Sequence, residues 1–219
     1  MLITLTEENY LKAIYHISQT SNDGISTNAI AEKVNAKASS VTDMLKKLAE
    51  KNFISYIKYK GVSLTEKGRL TAVDIVRKHR LWEVFLVEKL NFSWDEVHDV
   101  AEQLEHIKSQ KLINELDAFL DFPSHDPHGD PIPDKNGEIQ RTDKIVLSKA
   151  NVGETYKCVG VIDSSSQFLK YLDKYQIGIG TAIKVEDKED FDQSMTFTIN
   201  NVSMVMSKAI TNNIYVKKS

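Results

Sequence analysis

The sequence predicts a mainly α-helical protein with a small β domain. An N-terminal winged helix-turn-helix leads into a helical segment rich in candidate metal ligands, and a small C-terminal β-barrel follows. Three observations predict this. Apolar residues recur at helical spacing through most of the first 120 positions. Residues 53–65 interrupt that pattern with β-branched and aromatic residues around Lys60-Gly61, which reads as a two-stranded wing. All four prolines of the chain fall between residues 121 and 148, and short β-like runs separated by Gly or Asn come after them. The expected divisions are 1–72, a winged helix-turn-helix; 73–122, a helical metal-binding and dimerisation domain; 123–148, a Pro-rich linker; and 149–219, a β domain.

Taken in order, Thr6 is the expected N-cap of a first helix, with Glu7 and Glu8 suited to a helix start. Tyr10, Leu11, Ile14, Tyr15 and Ile17 form its apolar side, and Asn9 and Lys12 fall on the polar side. Ser21-Asn22-Asp23-Gly24 should end it. Ser26 or Thr27 can cap a short helix through Ile30, Ala31 and Val34, and Asn35-Ala36-Lys37 makes a turn. A second helix, opened by Ser39 or Ser40, buries Val41, Met44, Leu45, Leu48 and Ala49. Lys37, Ser39, Ser40, Thr42, Asp43, Lys46 and Lys47 are left facing out. Small hydroxyls followed by lysines suit a helix lying in the major groove of DNA. From 36 to 69 eight Lys or Arg face three acids, an excess of five positive charges on a chain whose net charge is −3. Phosphate contact therefore belongs to this segment, with Lys58 and Lys60 of the wing adding to it.

Thr65-Glu66-Lys67-Gly68 starts a long helix reaching about Leu90, and helices at 94–108 and about 110–120 follow. Ser93 and Glu96 have capping-box spacing, so Val97–Ile107 reads as one helix. On it His98, Glu102, Glu105 and His106 lie three or four residues apart, along one side. His79 and Glu83 form a similar pair on the long helix. Imidazole with carboxylate suits Mn²⁺, Fe²⁺, Zn²⁺, Co²⁺ or Ni²⁺. Two carboxylates this close repel unless a cation or proton lies between them. In the linker, His125, Asp126, His128 and Asp130 could add ligands or form a polar loop. The β-like runs are Glu154–Ile162, Ala182–Glu186, Met195–Ile199, Ser203–Ser207 and Asn213–Val216, with one helix at Ser165–Tyr175, as in a five-stranded barrel.

Bulk properties narrow the classes. With Cys158 alone no intramolecular disulfide forms, which fits a reducing, cytoplasmic setting, and one isolated Cys is more often a core residue than a ligand. No stretch is apolar enough to span a membrane, and residues 1–6 lead straight into a helix start rather than a secretory leader.

Glu8-Asn9-Tyr10-Leu11-Lys12-Ala13-Ile14-Tyr15, Ser39-Ser40-Val41-Thr42, Leu64-Thr65-Glu66-Lys67-Gly68, Arg77-Lys78-His79-Arg80-Leu81 with Glu83, His98-Asp99 with Glu102, Glu105-His106, and His128-Gly129-Asp130-Pro131-Ile132-Pro133 together resemble one family. It is the diphtheria toxin repressor / manganese transport regulator family of metal-activated bacterial repressors. The resemblance covers essentially the whole chain and implies that the C-terminal domain is SH3-like, of the FeoA type. It also implies a homodimer that binds operator DNA and two metal sites per subunit. The regulatory site would be Asn9, Glu102, Glu105 and His106; the ancillary site would be His79, Glu83 and His98, with Asp126, His128, Asp163 and Gln167 as further contributors. Asn9 stands where the family usually has Met or Asp, Lys12 where some manganese-responsive members have a carboxylate, and Glu102 where iron-responsive members have Cys. An oxygen-rich site without sulfur favours Mn²⁺, then Fe²⁺.

The expected mechanism is a metal-gated repressor of metal-uptake genes. Metal would tie the first helix to Glu102, Glu105 and His106, and the two carboxylates would repel each other without it. A metal-independent winged-helix regulator, a metalloenzyme using the His/Glu cluster and a metal buffer are the alternatives.

Overall fold

The computed structural model describes residues 3–20, 24–57, 61–140 and 143–219. Two compact units form, one from residues 1–79, 102–113 and 133–139, the other from 80–101, 114–132 and 140–219. The helical segment 73–122 is thus divided between them.

In the first unit α1 (Leu5–Ser18) is capped by Thr4, not Thr6. Thr4 and Glu7 complete a reciprocal capping box, which sets the start two residues earlier than the acidic pair suggests. α1 ends at Ser18, before the expected turn at 21–24, whose residues 21–23 lie outside the described residues. α2 (Thr27–Lys33) is capped by Ser26, as one of the two expected hydroxyls. The turn passes through Asn35 at φ +49°, a left-handed position that Asn tolerates better than most residues. α3 (Ala38–Glu50) has Lys37 at its N-cap rather than Ser39 or Ser40. It buries Val41, Leu45 and Leu48 against Leu11, Ile14 and Ile30. β1 (Ile54–Ile57) and β2 (Gly61–Leu64) pair antiparallel as the wing. Ile25, which the sequence did not single out, exchanges two backbone hydrogen bonds with Val62 and extends the wing.

α4 (Glu66–Leu90) has the expected bounds. Gly68 in its first turn lies against the backbone carbonyl of Phe53, where a Cβ would meet that oxygen at 1.8 Å. α5 (Val97–Leu104) is shorter than the helix expected at 94–108. The Ser93 amide donates to Glu96, as the capping-box spacing implied, but residues 94–96 form turns. At the other end the Ile107 amide donates to the Leu104 carbonyl three residues back, and this tight closure stops the helix before Glu105 and His106. α6 (Gln110–Phe119) follows.

The second unit contains a six-stranded antiparallel sheet, not five strands. Its order is β3-β8-β4-β5-β6-β7, made of β3 (Ile145–Val146), β4 (Thr155–Val161), β5 (Ala182–Lys188), β6 (Met195–Ile199), β7 (Val202–Met206) and β8 (Ile214–Lys218). The additional strand, β3, is two residues long, too short for alternation to reveal. α7 (Ser166–Lys174) and a short α8 (Lys208–Thr211) complete it. Alternation places Met195, Phe197 and Ile199 of β6 inside with Ile183, Val185 and Leu169. Cys158 is fully buried in this core, and burial pushes its thiol up to about 11. It acts as a small apolar residue.

The Pro-rich segment is ordered against β4. The Val161 amide donates to the His128 carbonyl at 2.9 Å, and a β-bulge shifts the register between Cys158 and Gly160. Gly129, at φ +82°, fits over that bulge, where a Cβ would lie 2.1 Å from the Val159 carbonyl oxygen. Gly129→Ala combines a strained backbone with a steric clash, and it should lower the stability of this unit by about 2 kcal/mol or more. Denaturant titration followed by circular dichroism measures it; an unchanged midpoint would show that the turn is not held in this way.

Candidate functional site

In the first unit acidic and basic groups from three distant segments meet. Glu105 is fully buried. Its Oε2 accepts from the Lys12 ammonium at 2.7 Å and lies 2.6 Å from His79 Nδ1. The same ammonium makes a short contact with Glu102. Lys12 therefore stands between the two carboxylates expected to repel. Its side chain is only 11% exposed, so it is not on the solvated side of α1. Glu105 Oε1 is buried with no hydrogen-bond partner among the described residues. It faces His106 Nε2 at 4.0 Å. His106 Nδ1 is 2.6 Å from Glu8 Oε2, and this contact turns Nε2 toward Glu105. One ligand atom each from His79, Glu102 and Glu105 lie within 4.8 Å of one another.

The residues fit a divalent cation. An orphaned buried carboxylate oxygen next to an imidazole nitrogen has lone pairs that nothing else uses. Asn9, by contrast, is exposed. Glu8, one residue earlier, is the carboxylate from α1 that reaches His106. The signal for it was available: Glu8, Leu11, Lys12 and Tyr15 share one face at spacings of three and four, whereas Asn9 falls outside that stripe.

The second unit holds another set. Glu83, Asp126 and His128 are all buried, with ligand atoms within 4.8 Å of one another. His128 Nδ1 is 3.6 Å from Glu83 Oε2, and its Nε2 donates to the Trp94 carbonyl at 2.7 Å. His98 Nδ1 is 3.6 Å from Glu83 Oε1. Asp126 Oδ1 accepts from the amides of His128 and Asp130, both at 2.9 Å, and Oδ2 lies 3.4 Å from Arg80 Nε. Burial, reinforced by the charges of Glu83 and Asp130, pushes the Asp126 carboxyl up to about 7. Burial alone would lower His128, but Glu83 and Asp126 outweigh it and hold the imidazole up at about 9. The linker is therefore more than a polar loop. His79, grouped with Glu83 and His98 from the sequence, also hydrogen-bonds Glu105. Asp163 accepts from the Ser165 amide at 2.8 Å, which shapes the turn into α7, and Gln167 is exposed.

On α3, Ser39, Ser40, Asp43, Lys46 and Lys47 are exposed, as is Lys37 at its cap. Lys46 and Asp43 form a solvent-exposed pair at 3.3 Å. Thr42 is half-buried and donates to the Ala38 carbonyl at 2.9 Å. Lys58 and Lys60 lie outside the described residues.

Residues 1–62 match the family described as iron dependent repressor, N-terminal DNA binding domain. Residues 65–134 match its metal binding and dimerisation domain, and 145–218 match the FeoA domain. An HTH-type transcriptional regulator of Methanocaldococcus jannaschii is 37% identical over 114 residues, 52% of this chain and 91% of that protein. The iron-dependent repressor IdeR of Mycobacterium bovis is 32% identical over 128 residues, 58% of this chain and 55% of that one. A manganese-dependent transcriptional repressor solved in complex with manganese superposes with a TM-score of 0.86 at 33% identity, over 97% of this chain and all of the other. ScaR with bound Zn²⁺ superposes at 0.78 and 32% identity, over 97% and 99%. Among the described residues no helix is long and apolar enough to cross a membrane.

Arg80 balances two acids, Asp126 and Asp130. Arg80→Met leaves Asp126 buried without its cation and should cost about 3 kcal/mol. Asp126→Asn in the same background should recover part of that loss. Denaturation of the single and double variants tests it, and additive losses would exclude the pairing.

Proposed function

Because the chain belongs to the diphtheria toxin repressor / manganese transport regulator family of metal-dependent transcriptional repressors, which are not enzymes, we propose that it senses Mn²⁺, with Fe²⁺ next in preference. In this reading the metal-loaded homodimer binds pseudo-palindromic operators of metal-uptake genes. The observation that carries it is the fully buried Glu105, whose Oε1 has no hydrogen-bond partner among the described residues and faces His106 Nε2 at 4.0 Å.

Glu102, Glu105 and His106 would hold the regulatory ion, with Glu8 orienting His106 and His79 bracing Glu105. Glu83, Asp126 and His128, with His98 beside them, would hold a second. A bound divalent cation would supply positive charge where carboxylates converge and would favour the DNA-competent arrangement of α1. Carboxylates and imidazoles without thiolate favour Mn²⁺ over softer metals. The related structures carry manganese or zinc, and the mycobacterial relative is iron-dependent. The divisions 1–72, 73–122, 123–148 and 149–219 then correspond to DNA reading, metal binding with dimerisation, linker and accessory β domain.

For DNA, Ser39, Ser40, Thr42 and Asp43 would face base edges, and Lys37, Lys46, Lys47, Lys58 and Lys60 would face phosphates. If Lys46 contacts a phosphate, Lys46→Ala weakens binding to all sequences alike and reduces the salt slope by about 1. Fluorescence anisotropy across a salt series reads this directly, and an unchanged slope removes Lys46 from the interface.

Capture of genomic fragments by the purified chain tests the function. It is run with Mn²⁺, with Fe²⁺ under anaerobic conditions, and with chelator, for wild type and for Glu105→Gln. Specific fragments recovered by wild type only with Mn²⁺, and lost in Glu105→Gln, are expected. The same fragments in chelator would mean that these residues are not the switch.

A further inference from the structure

The Glu102/Glu105 pair already has a cation, supplied by the chain itself. Lys12 reaches from α1 to both carboxylates, 90 and 93 residues away in sequence. It is 11% exposed and Glu105 is fully buried, so solvent screens the contact little. The two oxygens of Glu105 are used differently. Oε2 is taken by Lys12 and His79, while Oε1 has no hydrogen-bond partner among the described residues and faces His106. An ion at Oε1 would thus share its carboxylate with a fixed positive charge.

We propose that Lys12 is a built-in counter-cation of the regulatory centre, which latches α1 to Glu102 and Glu105 in the metal-free chain and lowers the affinity of that centre for a divalent ion. The inference rests on the metal reading above. Its physical basis is simple. An ammonium on the same carboxylates withdraws the negative charge that an incoming ion would use, and it repels that ion. The charge also cancels the carboxylate repulsion that would otherwise loosen α1 without metal. Lys12 therefore sets the concentration at which metal takes over, in the manner of a tethered competitor. The charges facing it are Glu102 and Glu105 from α5 and the residues just beyond it; His79 of α4 meets the same Glu105 oxygen, and Glu8 of α1 is engaged by His106.

The test compares wild type with Lys12→Met, which keeps the length and removes the charge, and with Lys12→Arg, which keeps the charge. Mn²⁺ is titrated calorimetrically into metal-free full-length chain, and thermal unfolding of the metal-free forms is followed in parallel. Lys12→Met should bind Mn²⁺ about tenfold tighter or more, and its metal-free unfolding midpoint should fall below wild type. Lys12→Arg should stay near wild type in both. Equal or weaker Mn²⁺ binding by a folded Lys12→Met, or an unchanged metal-free midpoint, would overturn the role of Lys12 and leave the metal reading intact. Absence of Mn²⁺ binding by all three forms would overturn the metal reading, and the proposal with it.

Discussion

A carboxylate removed entirely from water must be matched by positive charge, and Glu105 is such a carboxylate. Its position at the end of α5, beyond the last helical residue, puts both oxygens where other segments have to answer them. Lys12 answers from α1 and His79 from α4, and His106 stands beside the oxygen that remains. Three segments far apart in sequence are drawn together by one charge.

The same constraint recurs in the second unit with a different solution. Glu83 and Asp126 are buried acids answered by His128 and Arg80. Here the partner that completes the set comes from the Pro-rich segment. That segment is held in place by backbone contacts: the His128 carbonyl bonded to Val161 and Gly129 seated on the bulge of β4. The prolines and Gly129 shape the turn, and the turn aims the imidazole.

Within the first unit the charged centre and α3 share one hydrophobic core. α1 contributes Glu8 and Lys12 on one face and Leu11 and Ile14 to the core in which Val41 and Leu45 of α3 are buried. Close-packed interiors transmit small displacements. In the proposed function, a change in how Glu102 and Glu105 are neutralised would bear on α1, and through α1 on the exposed row of α3.

Sequence by itself determined the element types, because periodicity and turn chemistry act locally. The bounds of α4, the wing, α7 and five of the six C-terminal strands follow from spacing, and Ser26 was one of the two hydroxyls that could cap α2; β3 and α8 are too short to leave a period. Sequence also showed which chemistry was available, since Glu102, Glu105, His106 and Glu83 could be picked out by residue type and interval, whereas His128 was one of four linker residues that could ligate or form a polar loop. Only the tertiary structure decided how those groups pair. That Lys12 is buried and counters two acids, that Glu8 rather than Asn9 reaches His106, and that His79 braces Glu105 depend on contacts across 26 to 98 residues. Such pairings leave no local period, because the low dielectric that enforces them arises only when distant segments close around the charge.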